Sequence, residues 1–246
     1  MRIAVISDIH GNIAALDAVL ADIATRDVDL IVNLGDICSG SLFPSKTADR
    51  LMPLALPTIR GNHERQLVTL PRDRMGQSDL YATERLRPDQ LAWLGGLPTS
   101  LRIADDVLLV HGTPDSDLTY FLETVTEDGL REATLSEVEQ RAGDTDAAVI
   151  LCGHTHLARN VRLTDGRLIV NPGSVGLPAY GDDRPFPHVV ESGSPHARYA
   201  VITRAEGRWS AELITVDYDW EATAQDAEAN GRPDWTQALR TGRVQA

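Results

Sequence analysis

Aspartate, histidine and asparagine side chains follow the predicted strands of this sequence in a pattern that could bind metal ions. The seven side chains are Asp8, His10, Asp36, Asn62, His111, His154 and His156. One polar residue at a strand end is ordinary, and an Asp-x-His pair arises often by chance. Five of the seven histidines in the chain lie at such ends, however, next to a glycine or a carboxylate. This recurrence favours one shared site over unrelated turns.

The ligand types indicate which metals the site would take. Carboxylate, imidazole and amide oxygen without thiolate suit borderline divalent ions such as Mn²⁺, Fe²⁺ or Zn²⁺. Seven ligands are too many for one tetrahedral ion, but they fit two ions about 3.5–4 Å apart that share a bridging carboxylate. Such a pair lowers the pKa of a bound water and holds two oxygens of a phosphate. The chemistry implied is in-line hydrolysis of a phosphoester.

Short apolar runs must position these side chains. Residues 3–6 and 30–34 have the continuous apolar pattern of strands buried on both faces, with a predicted helix to about Thr25 between them. Further strands are predicted at residues 57–60, 107–110, 147–152 and 168–170. Because ligands gather beyond the carboxyl ends of strands in open α/β sheets, the seven side chains are expected to converge.

The remaining segments give less specific predictions. Residues 65–100 are expected to be mainly helix and loop. Residues 113–146 are polar and helix-prone, and they either cap the site or pack outside the sheet. Residues 177–196 are expected to be a surface loop, whereas residues 199–202 and 212–216 predict a hairpin in a second sheet layer. We expect one domain over residues 1–246, with a helical tail at about 221–242.

Composition argues against two classes of partner. The chain has 246 residues and a net charge of −13, which argues against a large nucleic-acid footprint or an anionic membrane surface. A small phosphorylated substrate remains compatible, because bound cations would reverse the local field. No apolar run approaches the eighteen or so residues of a membrane span, so we expect a cytoplasmic protein with Cys38 and Cys152 reduced. Nothing in the sequence marks a dimer face.

As a set, the motifs resemble those of the calcineurin-like metallophosphoesterase superfamily. The matching blocks are Asp8-x-His10, Gly35-Asp36, Gly61-Asn62-His63-Glu64, His111 and Gly153-His154-x-His156. Asn171-Pro172-Gly173-Ser174 and the tail with Pro233-Asp234-Trp235 are similar to segments of its small bacterial members. The resemblance implies a four-layer α/β/β/α sandwich with two mixed sheets.

The resemblance also implies a role for each ligand. Asp8, His10 and His156 would bind one divalent ion, which could be Mn, Fe, Zn or Ni. Asn62, His111 and His154 would bind the second ion, and Asp36 would bridge the two. A hydroxide between the metals would attack phosphorus. His63 would protonate the leaving oxygen or stabilise the transition state, and Asn62 would also turn its amide toward phosphate.

Substrate preference is less well defined by the sequence. Serine/threonine protein phosphatases and symmetrical dinucleoside tetraphosphatases usually carry an arginine shortly after Gly-Asp, whereas residues 37–41 here contain none. The closer likeness is to small bacterial phosphodiesterases and phosphatases, with diesters favoured. Arg60 either contacts phosphate or forms a surface ion pair. His188 and His196 match no block, and solvated loop positions are expected for both, with a contact at the substrate rim possible for His188.

A binding or scaffold protein on the same fold is the alternative hypothesis. The retromer subunit of this superfamily is known for assembly rather than hydrolysis. A scaffold could lose His10 or His63 without penalty, yet this sequence retains both. The complete set of ligands therefore favours an enzyme.

Overall fold

The computed structural model describes residues 1–244. The described strands are β1 (Arg2–Ile6), β2 (Leu30–Asn33), β3 (Leu101–Ile103), β4 (Val107–Leu109), β5 (Glu123–Thr126), β6 (Gly129–Glu132), β7 (Val149–Leu151), β8 (Arg159–Arg162), β9 (Leu168–Asn171), β10 (Ala179–Asp182), β11 (His188–Glu191), β12 (Ala197–Ala205) and β13 (Arg208–Val216). The described α-helices are α1 (Ile13–Ala24), α2 (Pro44–Leu51), α3 (Asn62–Thr69), α4 (Gln77–Thr83), α5 (Pro88–Gly96), α6 (Leu135–Ala142), α7 (Trp220–Ala229) and α8 (Pro233–Thr241).

Two mixed sheets form the centre of the fold. The first has the strand order β13-β12-β1-β2, in which β1 and β2 run parallel and β12 is antiparallel to both β1 and β13. The second has the order β3-β4-β7-β9-β8, with a parallel centre of β4, β7 and β9 and antiparallel edge strands. The pairs β5–β6 and β10–β11 form two separate hairpins.

Alternating side chains divide the molecule into layers. Ile3 and Val5 of β1 face the second sheet and pack with Val149 and Leu151 of β7. The other face of the first sheet packs against α1 and its neighbouring helices. Residues on the outer face of the second sheet pack against Val138 of α6. This confirms the predicted four-layer α/β sandwich with two mixed sheets.

The connections after β1 and β2 remain paired beyond the sheet. The N–H of Asp8 donates to Gly35 O at 3.0 Å, and the N–H of His10 donates to Asp36 O at 3.0 Å. On the second sheet, β4 and β7 run parallel, so that His111 and the segment after Leu151 emerge at the same edge. The predicted convergence of strand ends therefore has a direct backbone cause.

The predicted strand at residues 57–60 is only a single parallel bridge between Thr58 and Asn33. Its pairing with β2 stops because the N–H of Arg60 donates to Pro98 O at 2.8 Å. The predicted hairpin near the end of the chain is confirmed as β12–β13, but its placement in a second sheet is wrong. β12 pairs directly with β1, so the hairpin extends the first sheet.

Two segments contain hairpins that the sequence interpretation missed. Residues 113–146, expected to be helix-prone, contain β5–β6 before α6. Thr124, Val125 and Thr126 are β-branched and favour extended backbone, and Gly129 completes the turn with φ 105°. Residues 177–196, expected to be a loop, contain β10–β11, whose strands have only four residues each.

Among the described residues, no helix is long and apolar enough to span a membrane.

Candidate metal centre

Five of the seven predicted ligands have unusual backbone conformations. Asp8, His10, Asp36, His154 and His156 all have φ between 52° and 69°, in the left-handed region. Aspartate and histidine tolerate this region better than most residues. Sparsely populated conformations still cost on the order of 1–3 kcal/mol each and cluster at functional sites. The chain therefore turns sharply at each ligand position.

The first group of side chains, cluster 1, consists of Asp8, His10 and His156, whose potential ligand atoms all lie within 4.8 Å of one another. The two Nε2 atoms of His10 and His156 are 3.1 Å apart, and His156 Nε2 is 3.4 Å from Asp8 Oδ1. Each histidine uses its other ring nitrogen against a backbone carbonyl. Nδ1 of His10 lies 2.8 Å from Ser39 O, and Nδ1 of His156 lies 2.7 Å from Leu177 O.

The second group, cluster 2, consists of Asp36, His111 and His154, again with potential ligand atoms within 4.8 Å of one another. His111 Nε2 lies 3.1 Å from Asp36 Oδ2 and 3.1 Å from Asn62 Oδ1. Asn62, the first residue of α3, joins this cluster through its contact with His111. His111 Nδ1 lies 2.8 Å from Leu34 O, and His154 Nε2 lies 3.1 Å from the backbone oxygen of Leu118.

These contacts give a direct test of whether the residues fit metal ions. A neutral imidazole has one N–H and one lone pair, and a nitrogen that faces a carbonyl must carry the N–H. When the rings are neutral, Nε2 of His10, His111 and His156 and Nδ1 of His154 therefore carry the lone pairs. In cluster 1 the lone pairs of His10 and His156 face each other and Asp8, and a cation between them, a proton or a metal ion, satisfies this arrangement. Ligand histidines fixed by carbonyls on their second nitrogen are typical of metal sites.

Electrostatics support the same conclusion. Burial lowers the pKa of His10 to about 3, with a further contribution from the charge of His156, which keeps this imidazole neutral. Burial also disfavours a charged His111, but the carboxylate of Asp36 outweighs it and raises its pKa to about 10. The pKa of Asp36 lies well below its usual value because His111 and His63 outweigh its burial. The carboxylates of Asp8 and Asp36 therefore favour positive charge in the centre, carried by a proton on His111 or by a metal ion in its place.

Glu64 holds the backbone of the centre, a role that the sequence analysis missed. Its side chain is fully buried and accepts three backbone N–H bonds of 2.8 Å, from Asp36, Ile37 and Gly61. Gly61 leaves room for this arrangement, because a Cβ there would overlap Asp36 Oδ1. An acidic residue at the third position of α3 is a capping signal that could have identified Glu64.

His63 is oriented by Asp79, a second residue that the sequence analysis missed. Its Nδ1 lies 2.7 Å from Asp79 Oδ1, and the same carboxylate oxygen accepts from Ser39 Oγ at 2.6 Å. Burial lowers the pKa of His63, but Asp36 and Asp79 outweigh it and raise the pKa to about 9. The backbone N–H of His63 also donates to Asp36 Oδ1 at 3.0 Å. No sequence motif marks Asp79, which lies in α4.

Five of the seven predicted ligands line a cavity of about 960 Å³. The predicted site residues that line it are His10, Asp36, Asn62, His63, His154 and His156. Both hairpin segments reach the cavity, through Tyr120 and Tyr180, whose hydroxyl oxygens are 2.8 Å apart. Asp8 and His111 are buried at its base, 0% and 1% exposed. All seven predicted ligands are thus neighbours, and their binding of metal stays a prediction.

Three other histidine and arginine positions lie outside the two ligand clusters. The described lining of the cavity does not include Arg60, so its contact with substrate stays a prediction without support from its position. His188 is buried, and its Nε2 lies 3.0 Å from the hydroxyl of Tyr120, so the expected solvated position is wrong. Its place in β11 explains the burial. His196 lies 3.0 Å from Asp217 and is partly exposed.

Comparisons with known proteins agree with this geometry. A sequence profile described as the calcineurin-like phosphoesterase superfamily domain matches residues 1–190. The protein MJ0912 of Methanocaldococcus jannaschii is 24% identical over 257 residues, which cover 95% of this chain and 94% of the relative.

Solved structures show the same fold. The crystal structure of a metallophosphoesterase from Sphaerobacter thermophilus is 26% identical, with a TM-score of 0.75, and the match covers 99% of this chain and 100% of that chain. A putative diadenosine tetraphosphatase is 17% identical, with a TM-score of 0.52 over 88% of this chain and 94% of its own. At that identity, the likeness concerns the fold alone.

Proposed function

This chain belongs to the calcineurin-like phosphoesterase superfamily, and we propose that it is a dinuclear metal-dependent phosphoesterase acting on small substrates. Asp8, His10 and His156 hold one divalent ion in this proposal. Asn62, His111 and His154 hold the second, and Asp36 bridges the two ions. Mn, Fe, Zn and Ni are the candidate metals.

The observation that carries the proposal is the convergence of histidine ring nitrogens and carboxylates in two clusters, with the second nitrogen of each ring held by a backbone carbonyl. Nε2 of His10 and Nε2 of His156 are 3.1 Å apart, while both Nδ1 atoms face backbone carbonyls. Lone pairs of two neutral rings at this distance repel unless a proton or a metal ion lies between them, and the pKa of His10, lowered by burial to about 3, disfavours the proton. Two bound ions would supply a hydroxide nucleophile near neutral pH and positive charge for the phosphate oxygens.

The side chains beside the centre have separate tasks. Asn62 orients its amide toward a phosphate oxygen, and its neighbour His63 donates a proton to the leaving oxygen. Asp79 fixes the ring of His63 from the opposite side, through the 2.7 Å contact with Nδ1. The proton that His63 transfers is consequently the one on Nε2. Glu64 keeps the backbone of Asp36 and Gly61 in place during turnover.

We propose that diesters are preferred over monoesters. Residues 37–41 follow Asp36 without an arginine, so this segment supplies no guanidinium for the extra charge of a monoester. A diester carries one negative charge less on its phosphate and needs less compensation.

Turnover of bis(p-nitrophenyl) phosphate and p-nitrophenyl phosphate tests the proposal. Metal-stripped protein is reloaded with Mn²⁺, and Asp36→Asn is measured beside it. We expect metal-dependent hydrolysis with the diester preferred, and loss of most bound metal and nearly all activity in the variant. Near-normal turnover of Asp36→Asn with two metals retained would contradict the bridging role. No hydrolysis by wild-type protein with two metals bound would instead favour a binding or scaffold protein.

A further inference from the structure

The end of the chain contributes to the same cavity as the metal centre. The family profile ends at residue 190, whereas Arg232, Asp234 and Trp235 lie at the beginning of α8. All three line the cavity together with His10 and His63. Part of the site therefore comes from outside the segment that defines the family.

The beginning of α8 is held firmly against the segment that follows Asp36. Trp235 is 5% exposed, and its ring centroid lies 6.1 Å from that of His10 in an edge-on arrangement. A Cβ at Gly40 would come within 2.7 Å of the Trp235 ring. The side-chain amide of Asn230 donates to Ser41 O at 2.8 Å. These contacts on both sides of Arg232 hold its backbone in place.

Arg232 is a buried cation with free donors. It is 9% exposed, and its Nε and Nη2 donate to the carboxylate of Asp234 at 2.9 Å and 2.7 Å. Its Nη1 donates to Ser78 Oγ at 3.0 Å. A guanidinium has five N–H donors, and these contacts use three of them. Two donors remain on a side chain that lines the cavity.

The position of Arg232 indicates which part of a substrate it would meet. Ser78 immediately precedes Asp79, and Asp79 accepts the hydrogen bond from His63 Nδ1. Arg232 and Ser78 line the cavity together with His63, so Arg232 belongs to the same part of the site as the group that would protonate the leaving oxygen. Its neighbours Asn230 and Trp235 pack beside the segment after Asp36, where the sequence has no arginine of its own.

We propose that Arg232 binds an anionic group, a carboxylate or a phosphate, carried by the leaving group of the substrate. The site then selects esters whose leaving group is negatively charged. This inference rests on the proposed function, since it takes the role of His63 from it. A guanidinium suits the task because its remaining N–H groups on Nη1 and Nη2 can bond an anion while Nε and Nη2 stay paired with Asp234. Asp234 thereby fixes the orientation of the guanidinium.

Two aryl esters that differ only by a carboxylate test the proposal. 4-Nitrophenyl phosphate is compared with 3-carboxy-4-nitrophenyl phosphate, each as the monoester and as the methyl diester. The quantity measured is the ratio of kcat/KM between the carboxylated and the plain ester. We expect this ratio to fall about ten-fold or more in Arg232→Met, as for loss of hydrogen bonds between charged groups. Comparing this ratio between the variant and the wild type cancels the difference in leaving-group pKa.

Arg184→Met is the matched control, because Arg184 lines the same cavity from the connection between β10 and β11. It is expected to keep the wild-type ratio. Arg232→Gln is measured in parallel, so that an unchanged ratio in whichever Arg232 variant folds overturns the proposal. An equal fall in Arg184→Met also overturns it. If metal-loaded wild-type protein hydrolyses none of the esters, the proposed function fails and the subsite fails with it.

Discussion

Replacing Glu64 by glutamine tests how the backbone of the metal centre is held. Oε2 of Glu64 accepts from the N–H groups of Asp36 and Gly61, and Oε1 accepts from the N–H of Ile37. The glutamine oxygen can keep the first two bonds. The amide NH₂ then faces the N–H of Ile37, and two donors without an acceptor meet in a fully buried place.

The expected cost follows from these three bonds. A hydrogen bond to a charged group contributes about 1.5–3 kcal/mol, and a buried donor left without a partner costs about 1–3 kcal/mol. Burial and the charge of Asp36 both raise the pKa of Glu64, which shows that its negative charge is unfavourable here. Removing that charge in the glutamine variant offsets part of the cost of the lost hydrogen bonds. We expect a net loss of about 3 kcal/mol in the free energy of unfolding. This is a large part of the 5–15 kcal/mol typical of domains, although the variant should fold.

Urea unfolding of metal-free protein measures this loss without the stabilisation that metal binding adds. Glu137→Gln is the matched control, since Glu137 occupies the same third position of α6 and caps Thr134 N at 2.7 Å on an exposed helix. Its expected loss is smaller, because its bonds from Thr134 and its ion pair with Arg131 are exposed to solvent. If Glu64→Gln costs no more than Glu137→Gln, the three buried bonds do not hold the centre and the reasoning is wrong.

Three further substitutions probe the centre. His63→Ala should retain both metals but turn over slowly, with the smallest loss for leaving groups of low pKa; metal loss would instead make His63 a ligand. Gly61→Ala should lower metal content, because the added Cβ overlaps Asp36 Oδ1, and unchanged content would refute this. Burial raises the pKa of Glu123 to about 7. Between about pH 4.5 and 7, Glu123 is protonated in the folded state and ionised in the unfolded state, so the free energy of unfolding falls by on the order of 3 kcal/mol as pH rises through this window. In Glu123→Gln, urea unfolding of metal-free protein should not show this fall. If the free energies of unfolding of variant and wild type change with pH in parallel, the prediction is wrong.

The sequence predicted the ligand-bearing edge of the sheets well, for a physical reason. Parallel strands buried on both faces must be nearly continuous apolar runs, and residues 3–6 and 147–152 have that pattern. A polar residue directly after such a run lies at the carboxyl edge whatever the surrounding loops do. Asp8, His154 and their counterparts could therefore be placed before the tertiary structure was known.

Contacts made across the fold could not be read in the same way. Asp79 reaches His63 only because α4 packs beside α3, and nothing in the local sequence specifies that packing. Arg232 reaches the cavity through the packing of α8 on the segment after Asp36, from a part of the chain far away in sequence. The hairpin β10–β11 was missed because strands of four residues give too short a pattern next to Pro185 and Pro187.

The most direct test of the dinuclear centre is anomalous X-ray diffraction from crystals grown with Mn²⁺. We predict two anomalous peaks. One should be bound by Asp8, His10 and His156, the other by Asn62, His111 and His154, and Asp36 should contact both. A single peak, or two peaks of which Asp36 contacts only one, would contradict the shared carboxylate on which the proposed function depends.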